Sequence, residues 1–151
     1  LDIGVYALSF FRWFMTSSPN QVLSQVKFAS TGVDEQAGIL LMNAEGEMAT
    51  LTLSLHAKQP KRGTIAYDKG YIEIYEYPRG QKAVITYTED GHQEIIEAGK
   101  TSDALMYEIL DMEEAVAGDK NEMYLDYSRD VMKIMTDLRK EWGMTYPEEE
   151  K

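Results

Sequence analysis

Two side chains near the start of the chain, Asp2 and Tyr6, are spaced for chemistry. They stand four residues apart, so on a helix they share one face. A phenol beside a carboxylate can relay a proton to or from a substrate hydroxyl. The same residues also suit plainer roles, Asp2 as a first-turn helix acid and Tyr6 as a core aromatic with a satisfied hydroxyl. Other reactive groups are scarce. There is no cysteine, which excludes a disulfide scaffold, a thiolate metal site and a cysteine nucleophile. Two histidines, His56 and His92, are too few for a structural zinc site, and no metal is expected. The eleven glycines never stand two apart, so no G-x-G-x-x-G occurs. Walker A, G-x-S-x-G and H-E-x-x-H motifs are absent too, and no residue of this chain is assigned to cofactor binding.

The element that must present Asp2 and Tyr6 is the run Leu1–Met15, LDIGVYALSFFRWFM. It reads as a helix despite Gly4, closed by Thr16-Ser17-Ser18-Pro19-Asn20. It is shorter than the ~20 apolar residues a bilayer span needs. It also lacks the basic start and small-residue cleavage site of a signal peptide. A helix apolar on nearly every side must be covered on nearly every side. The rest of the chain can cover one face, and the other is expected to meet a further domain. Leu1 is therefore read as the start of a piece of a longer protein.

Runs with strand character follow. Val22–Ala29 alternates loosely, and Gln36–Met42 and Met48–His56 flank a turn at Asn43-Ala44-Glu45-Gly46-Glu47. In Met48–His56, Ala49, Leu51, Leu53 and Leu55 alternate with polar residues, the pattern of a strand with one dry face. Thr64–Tyr67 and Tyr71–Tyr77 turn at Asp68-Lys69-Gly70, and Gln81–Thr88 and His92–Ile96 at Glu89-Asp90-Gly91. Two helices end the chain. One is capped by Thr101 or Ser102, has Leu105, Ile109, Met112 and Val116 at helical spacing, and stops at Gly118. The other runs from about Tyr124 to Trp142, with Val131, Met135, Leu138 and Trp142 on one face. Tyr146-Pro147 and an acidic tail finish the chain. This order predicts one α+β domain over residues 1–151, a mostly antiparallel open sheet of about six or seven strands with helices packed on one face. The opposite face, with Tyr71, Tyr75 and Tyr77, is expected to meet a second copy, since aromatics are enriched at interfaces.

The chain has 151 residues, and its net charge of −11 argues against nucleic acid and against an anionic membrane as partners. Residues 1–88 hold 8 acids and 8 bases; all of the excess lies in residues 89–151. Such a charge run is ordinarily a solvated helix face.

Asp2–Arg12 resembles the opening of the C-terminal domain of the Gfo/Idh/MocA oxidoreductases. That family is similar in an Asp-x-Gly-x-His/Tyr stretch and an apolar run ending in Arg-Trp, here D-I-G-V-Y-A-L-S-F-F-R-W. Gly63–Ile72 resembles the family's hairpin with its Lys-Gly turn. Tyr107–Ile109 with Ala115–Gly118 resembles its penultimate helix, and Tyr127–Leu138 its last. The resemblance implies the substrate-binding and oligomerisation half of an NAD(P)-dependent dehydrogenase of the dihydrodiol or sugar dehydrogenase branch. Its substrate would be a sugar, polyol or diol. NAD or NADP, and a catalytic lysine, would come from an N-terminal Rossmann domain outside this chain, and this chain alone would bind no cofactor and be inactive. Asp2 matches the substrate-orienting Asp and Tyr6 the acid/base residue; Phe10 and Trp13 are assigned to packing. A homo-oligomer through the open sheet face and a cytoplasmic location complete the expectation. The rival readings are a non-catalytic binding or scaffold protein of the same fold, and an independent α+β ligand-binding module.

Overall fold

The computed structural model describes residues 1–118, 123–146 and 149. In chain order the elements are α1 (Gly4–Phe14), β1 (Gln21–Phe28), β2 (Asp34–Met42), β3 (Met48–Ser54), β4 (Arg62–Tyr67), β5 (Gly70–Tyr75), β6 (Lys82–Tyr87), β7 (Gln93–Glu97), α2 (Ala104–Ala117) and α3 (Leu125–Glu141). Short 3₁₀ turns occupy Tyr77–Arg79 and Thr101–Asp103. The expected α+β architecture with seven antiparallel strands is present. The strands divide into two hydrogen-bonded sheets, β1-β2-β3 and β4-β5-β6-β7. Within Leu55–Lys61, which joins β3 to β4, Pro60 has no N–H to donate to a ladder. The chain forms two compact units, residues 1–59 with 125–151, and residues 60–124. Pro147 and most of the acidic tail lie outside the described residues. No described helix is long and apolar enough to cross a membrane.

The first unit has a dry core. Alternation along β2 and β3 turns Ala37, Ile39, Leu41, Ala49, Leu51 and Leu53 to one sheet face, where all are buried. The register pairs them across the strands, Ala37 with Leu53, Ile39 with Leu51 and Leu41 with Ala49. Strand β3 ends at Ser54, two residues before the run read from the sequence, and Leu55 is exposed. Helix α1 packs on β3 and on α3. Leu8 of α1 and Val131 and Leu138 of α3 are among the most deeply buried side chains. Beyond α3, Trp142 Nε1 donates to Ser24 Oγ at 2.8 Å, which ties the helix end to β1. Gly4 lies where α1 approaches β3; a Cβ there would stand 3.3 Å from Leu53 Cδ1. That close approach explains a glycine in an otherwise strong helical run.

The second unit is thinner. Its four strands pair in sequence order through tight turns at Asp68–Lys69 and at Asp90–Gly91, where Gly91 has φ +72°. Strand β5 is shorter than its aromatic alternation predicts. It ends at Tyr75; Glu76 is left-handed at φ 50°, and Tyr77 enters a 3₁₀ turn. Pro78 follows, and proline suits a turn but cannot serve a ladder. A Cβ on Gly80 would stand 2.9 Å from Ile74 Cγ2, so a larger residue there would have to displace that side chain. Tyr77 therefore does not share a strand face with Tyr71 and Tyr75, and burial pushes its hydroxyl pKa upward. Helix α2 also departs from expectation. Its apolar residues keep the helical period, yet Leu105, Ile109, Met112 and Val116 are all exposed and no residue of α2 is buried. It is preceded by the 3₁₀ turn instead of a Thr101 or Ser102 side-chain cap; Thr101 Oγ1 donates to Arg79 O at 3.0 Å.

A candidate active-site face on the first helix

Helix α1 is two-sided. Leu1, Gly4, Ala7, Leu8, Arg12 and Met15 are buried, at the spacing of one helical face. Asp2, Tyr6, Ser9 and Trp13 are exposed, at the spacing of the opposite face. Asp2 lies in the turn before the helix and Tyr6 in its first turn. Tyr6 is 54% exposed. Among the described residues neither makes a hydrogen bond or ion pair, with the other or with any neighbour. The carboxylate and the phenol are thus presented together on an open face, free to meet a ligand.

What holds that face outward is the burial behind it and the contacts in and just past its last turn. In the last turn the Arg12 guanidinium is 7% exposed. Its Nε donates to Asp130 Oδ2 of α3 at 2.7 Å, and Nη1 donates to Met15 O at 3.0 Å. Its Cζ lies 4.0 Å from the centroid of the Tyr127 ring. Burying a cation is costly unless it is paired and hydrogen-bonded, and Arg12 is both. Just past the helix, Glu47 of the β2–β3 turn accepts from Thr16 N at 2.9 Å and Thr16 Oγ1 at 3.0 Å. Asn43 Nδ2 donates to the same carboxylate, and Glu47 N donates to Asn43 Oδ1 at 2.9 Å. The Thr16 backbone donor above all holds the Glu47 carboxyl below its ordinary value. Helix rotation is therefore set by contacts to the β2–β3 turn and to α3.

Trp13, assigned to packing from the sequence, is 54% exposed. Its ring meets that of Tyr127 edge-to-face, 6.1 Å between centroids at 84°. Ser9 was not singled out by sequence reasoning at all. The periodicity that pairs Asp2 with Tyr6 reaches both, and only burial separates an outward stripe from a core stripe in so apolar a run.

A cleft of about 550 Å³ lies elsewhere, lined by Asp68, Lys69, Tyr87, Glu89, Asp90 and His92 at two adjacent turns of the second unit. Tyr87 and His92 stack there at 5.8 Å. It contains neither Asp2 nor Tyr6, and its carboxylates are solvated turn residues.

Residues 1–73 match the GFO/IDH/MocA C-terminal domain. Over those residues the chain is similar to that family. The match covers α1 with Asp2 and Tyr6, the first sheet, and the hairpin at Asp68–Gly70. No curated protein matches the chain in sequence. Among solved structures the fold is similar to UDP-N-acetylglucosamine 3-dehydrogenase GnnA from Acidithiobacillus ferrooxidans, with a TM-score of 0.72 at 19% identity over 87% of this chain and 43% of that one. It is also similar to an aldose-aldose oxidoreductase from Caulobacter crescentus complexed with glycerol, TM-score 0.69 at 17% identity, covering 90% and 43%. A putative oxidoreductase from Thermotoga maritima matches at TM-score 0.62 and 14% identity, covering 85% and 40%. The chain spans less than half the length of each of these structures.

Proposed function

We propose that this chain is the substrate-binding and oligomerisation half of an NAD(P)-dependent, cytoplasmic oxidoreductase that acts on a hydroxyl of a sugar, polyol or diol. The observation that carries the reading is the two-sided α1, with Asp2 and Tyr6 together on its exposed face and the other face locked into the core. The family match over residues 1–73 and the likeness of fold to sugar-converting oxidoreductases support it. The residues of this chain do not suit the cofactor: no glycine-rich turn opens any described helix, and a dinucleotide pyrophosphate needs one. NAD or NADP therefore belongs to an N-terminal Rossmann partner domain, where it would exchange hydride with the substrate carbon. In this chain Tyr6 Oη takes or returns the proton of the reacting hydroxyl. Asp2 accepts a hydrogen bond from that hydroxyl or its neighbour and so orients the ring. A cation from the partner domain would favour the phenolate, the form of Tyr6 that takes that proton.

Tyr6→Phe in the full-length enzyme tests this. The ring and its packing stay and the proton goes, so kcat should fall about 10²–10⁴-fold with little change in KM or melting temperature. Asp2→Asn should raise KM more than it lowers kcat. Near-wild-type kcat in Tyr6→Phe, with chemistry rate-limiting, sinks the assignment.

The same reading includes self-association through an open sheet face. Tyr71 and Tyr75 alternate with Ile72 and Ile74 along β5, Tyr75 is exposed, and both tyrosines lie on the face that carries the Arg62–Glu73 pair at 3.5 Å. Replacing both tyrosines with Lys should convert an oligomer to a monomer in light scattering. An oligomer unchanged by the pair of substitutions counts against this face.

A further inference from the structure

The stripe of α1 that carries Asp2 and Tyr6 continues past them to Ser9 and Trp13. At ~1.5 Å rise per residue, the seven residues from Tyr6 to Trp13 cover about 10 Å of helix. That is farther than the ring bearing the reacting hydroxyl extends, and within reach of a second ring joined to it. Trp13 suits such a ring. It is 54% exposed, yet it is held in place by the edge contact to Tyr127, whose ring lies against the Arg12 guanidinium. An aromatic platform already fixed before binding loses little conformational freedom when a ligand stacks on it. Ser9, between the two, offers one hydroxyl that can donate or accept.

Charge narrows the occupant. The only charged group on the exposed stripe is Asp2. The only cation of α1, Arg12, is buried and engaged by Asp130, Met15 O and Tyr127. A phosphate or diphosphate linked to the sugar would find no donor cation on this helix, and anionic groups are recognised by charge-assisted bonds. A neutral sugar ring, with C–H groups on its faces and hydroxyls at its rim, fits an indole flanked by a serine.

We propose that Trp13 and Ser9 form a second subsite for an uncharged sugar ring joined to the ring on which Tyr6 acts, so that the substrate is a disaccharide or larger glycoside. The proposal rests on the assignment of Tyr6 above. Its test is a binding measurement on this chain, following the two indole N–H signals by NMR during titration with glucose, maltose, cellobiose, trehalose and UDP-glucose. At least one disaccharide should shift the Trp13 signal and leave Trp142 in place. It should bind about tenfold tighter than glucose, the ordinary worth of one aromatic stack. Trp13→Ala should abolish that advantage. Trp13→Phe, which keeps a ring against Tyr127, should retain part of it and guards against a variant that merely misfolds. No disaccharide advantage, an advantage unchanged in Trp13→Ala, or UDP-glucose outbinding every neutral sugar through Trp13 overturns the proposal. Turnover that survives Tyr6→Phe sinks the acid/base reading but leaves this binding difference standing. A missing difference alongside an inactive Tyr6→Phe sinks only the subsite.

Discussion

The two compact units bury their apolar residues to very different degrees. In the first, Leu8, Leu41 and Leu138 are each 1% exposed, and the helices and one sheet face close over a continuous dry layer. Among the described residues of the second, the buried ones are Gly63 and Thr86, and every large apolar residue is at least partly open. Yet the second unit is not poor in apolar residues: β4–β7 and α2 are rich in Ile, Tyr, Leu and Met. Hydrophobic surface is stabilising only when it is covered. The first unit thus supplies its own stability and can hold α1 rigidly enough to present a site. The second holds apolar surface in reserve, beyond what scattered surface leucines would amount to.

Core truncation should separate the units most strongly. Leu138→Ala removes one of the most deeply buried side chains of α3, and should cost about 2–5 kcal/mol in chemical denaturation. A loss below 1 kcal/mol would contradict the close packing of the first unit.

Arg12 comes next. Arg12→Met keeps much of the buried stem but leaves Asp130 and Met15 O without their donor. Because Asp130 is partly exposed, the loss should be about 1–3 kcal/mol, less than for a fully buried pair. Arg12→Met with Asp130→Asn should recover part of it, since the orphaned carboxylate is gone. A double variant no better than the single would show that the guanidinium acts through Tyr127 and not through the ion pair.

Acid should act on the first unit through Glu47. Its carboxyl is held below its ordinary value of 4.5, so as pH falls the unfolded chain takes up a proton before the folded one does. The contribution of Glu47 is therefore complete above that value and is lost as pH falls through the lower folded one. Glu47→Gln should flatten this part of the acid limb in a plot of stability against pH. Asp137 and Glu149, also lowered by their Lys133 and Arg139 partners, keep some slope in the variant. An acid limb identical in wild type and Glu47→Gln would remove Glu47 as a lock on α1.

These contrasts bear on what the sequence made legible. The period-2 alternation of β3 and the 3.6 period of α3 located their buried faces, because each is amphipathic and has one dry side. The turns at Asp68–Gly70 and Asp90–Gly91 were legible because their backbone conformation restricts the residue type. Strand β5 was overextended to Tyr77, since aromatic alternation alone does not register the left-handed Glu76 or the demand of Pro78. Asp2 and Tyr6 were paired by spacing and resemblance, and both are exposed on one face. Ser9 was passed over and Trp13 was read as packing, because in LDIGVYALSFFRWFM nearly every position is apolar and periodicity cannot tell the outward face from the inward one. Helix α2 poses the converse case: its stripe at Leu105, Ile109, Met112 and Val116 keeps the spacing of a core helix, and period says nothing about whether a partner surface exists.

The smallest expected effect is at that stripe. Leu105→Gln and Ile109→Gln replace exposed side chains with polar ones of similar length and similar helix propensity. Each should change the stability of the chain by no more than about 0.5 kcal/mol, the ordinary range for surface substitutions. Retention of the monomer's melting temperature, together with reduced binding of a dye that reports exposed apolar surface, is the expected pair of results. A loss of several kcal/mol in the dilute chain would mean that α2 is covered after all, and the contrast between the two units would fail at the element that displays it most openly.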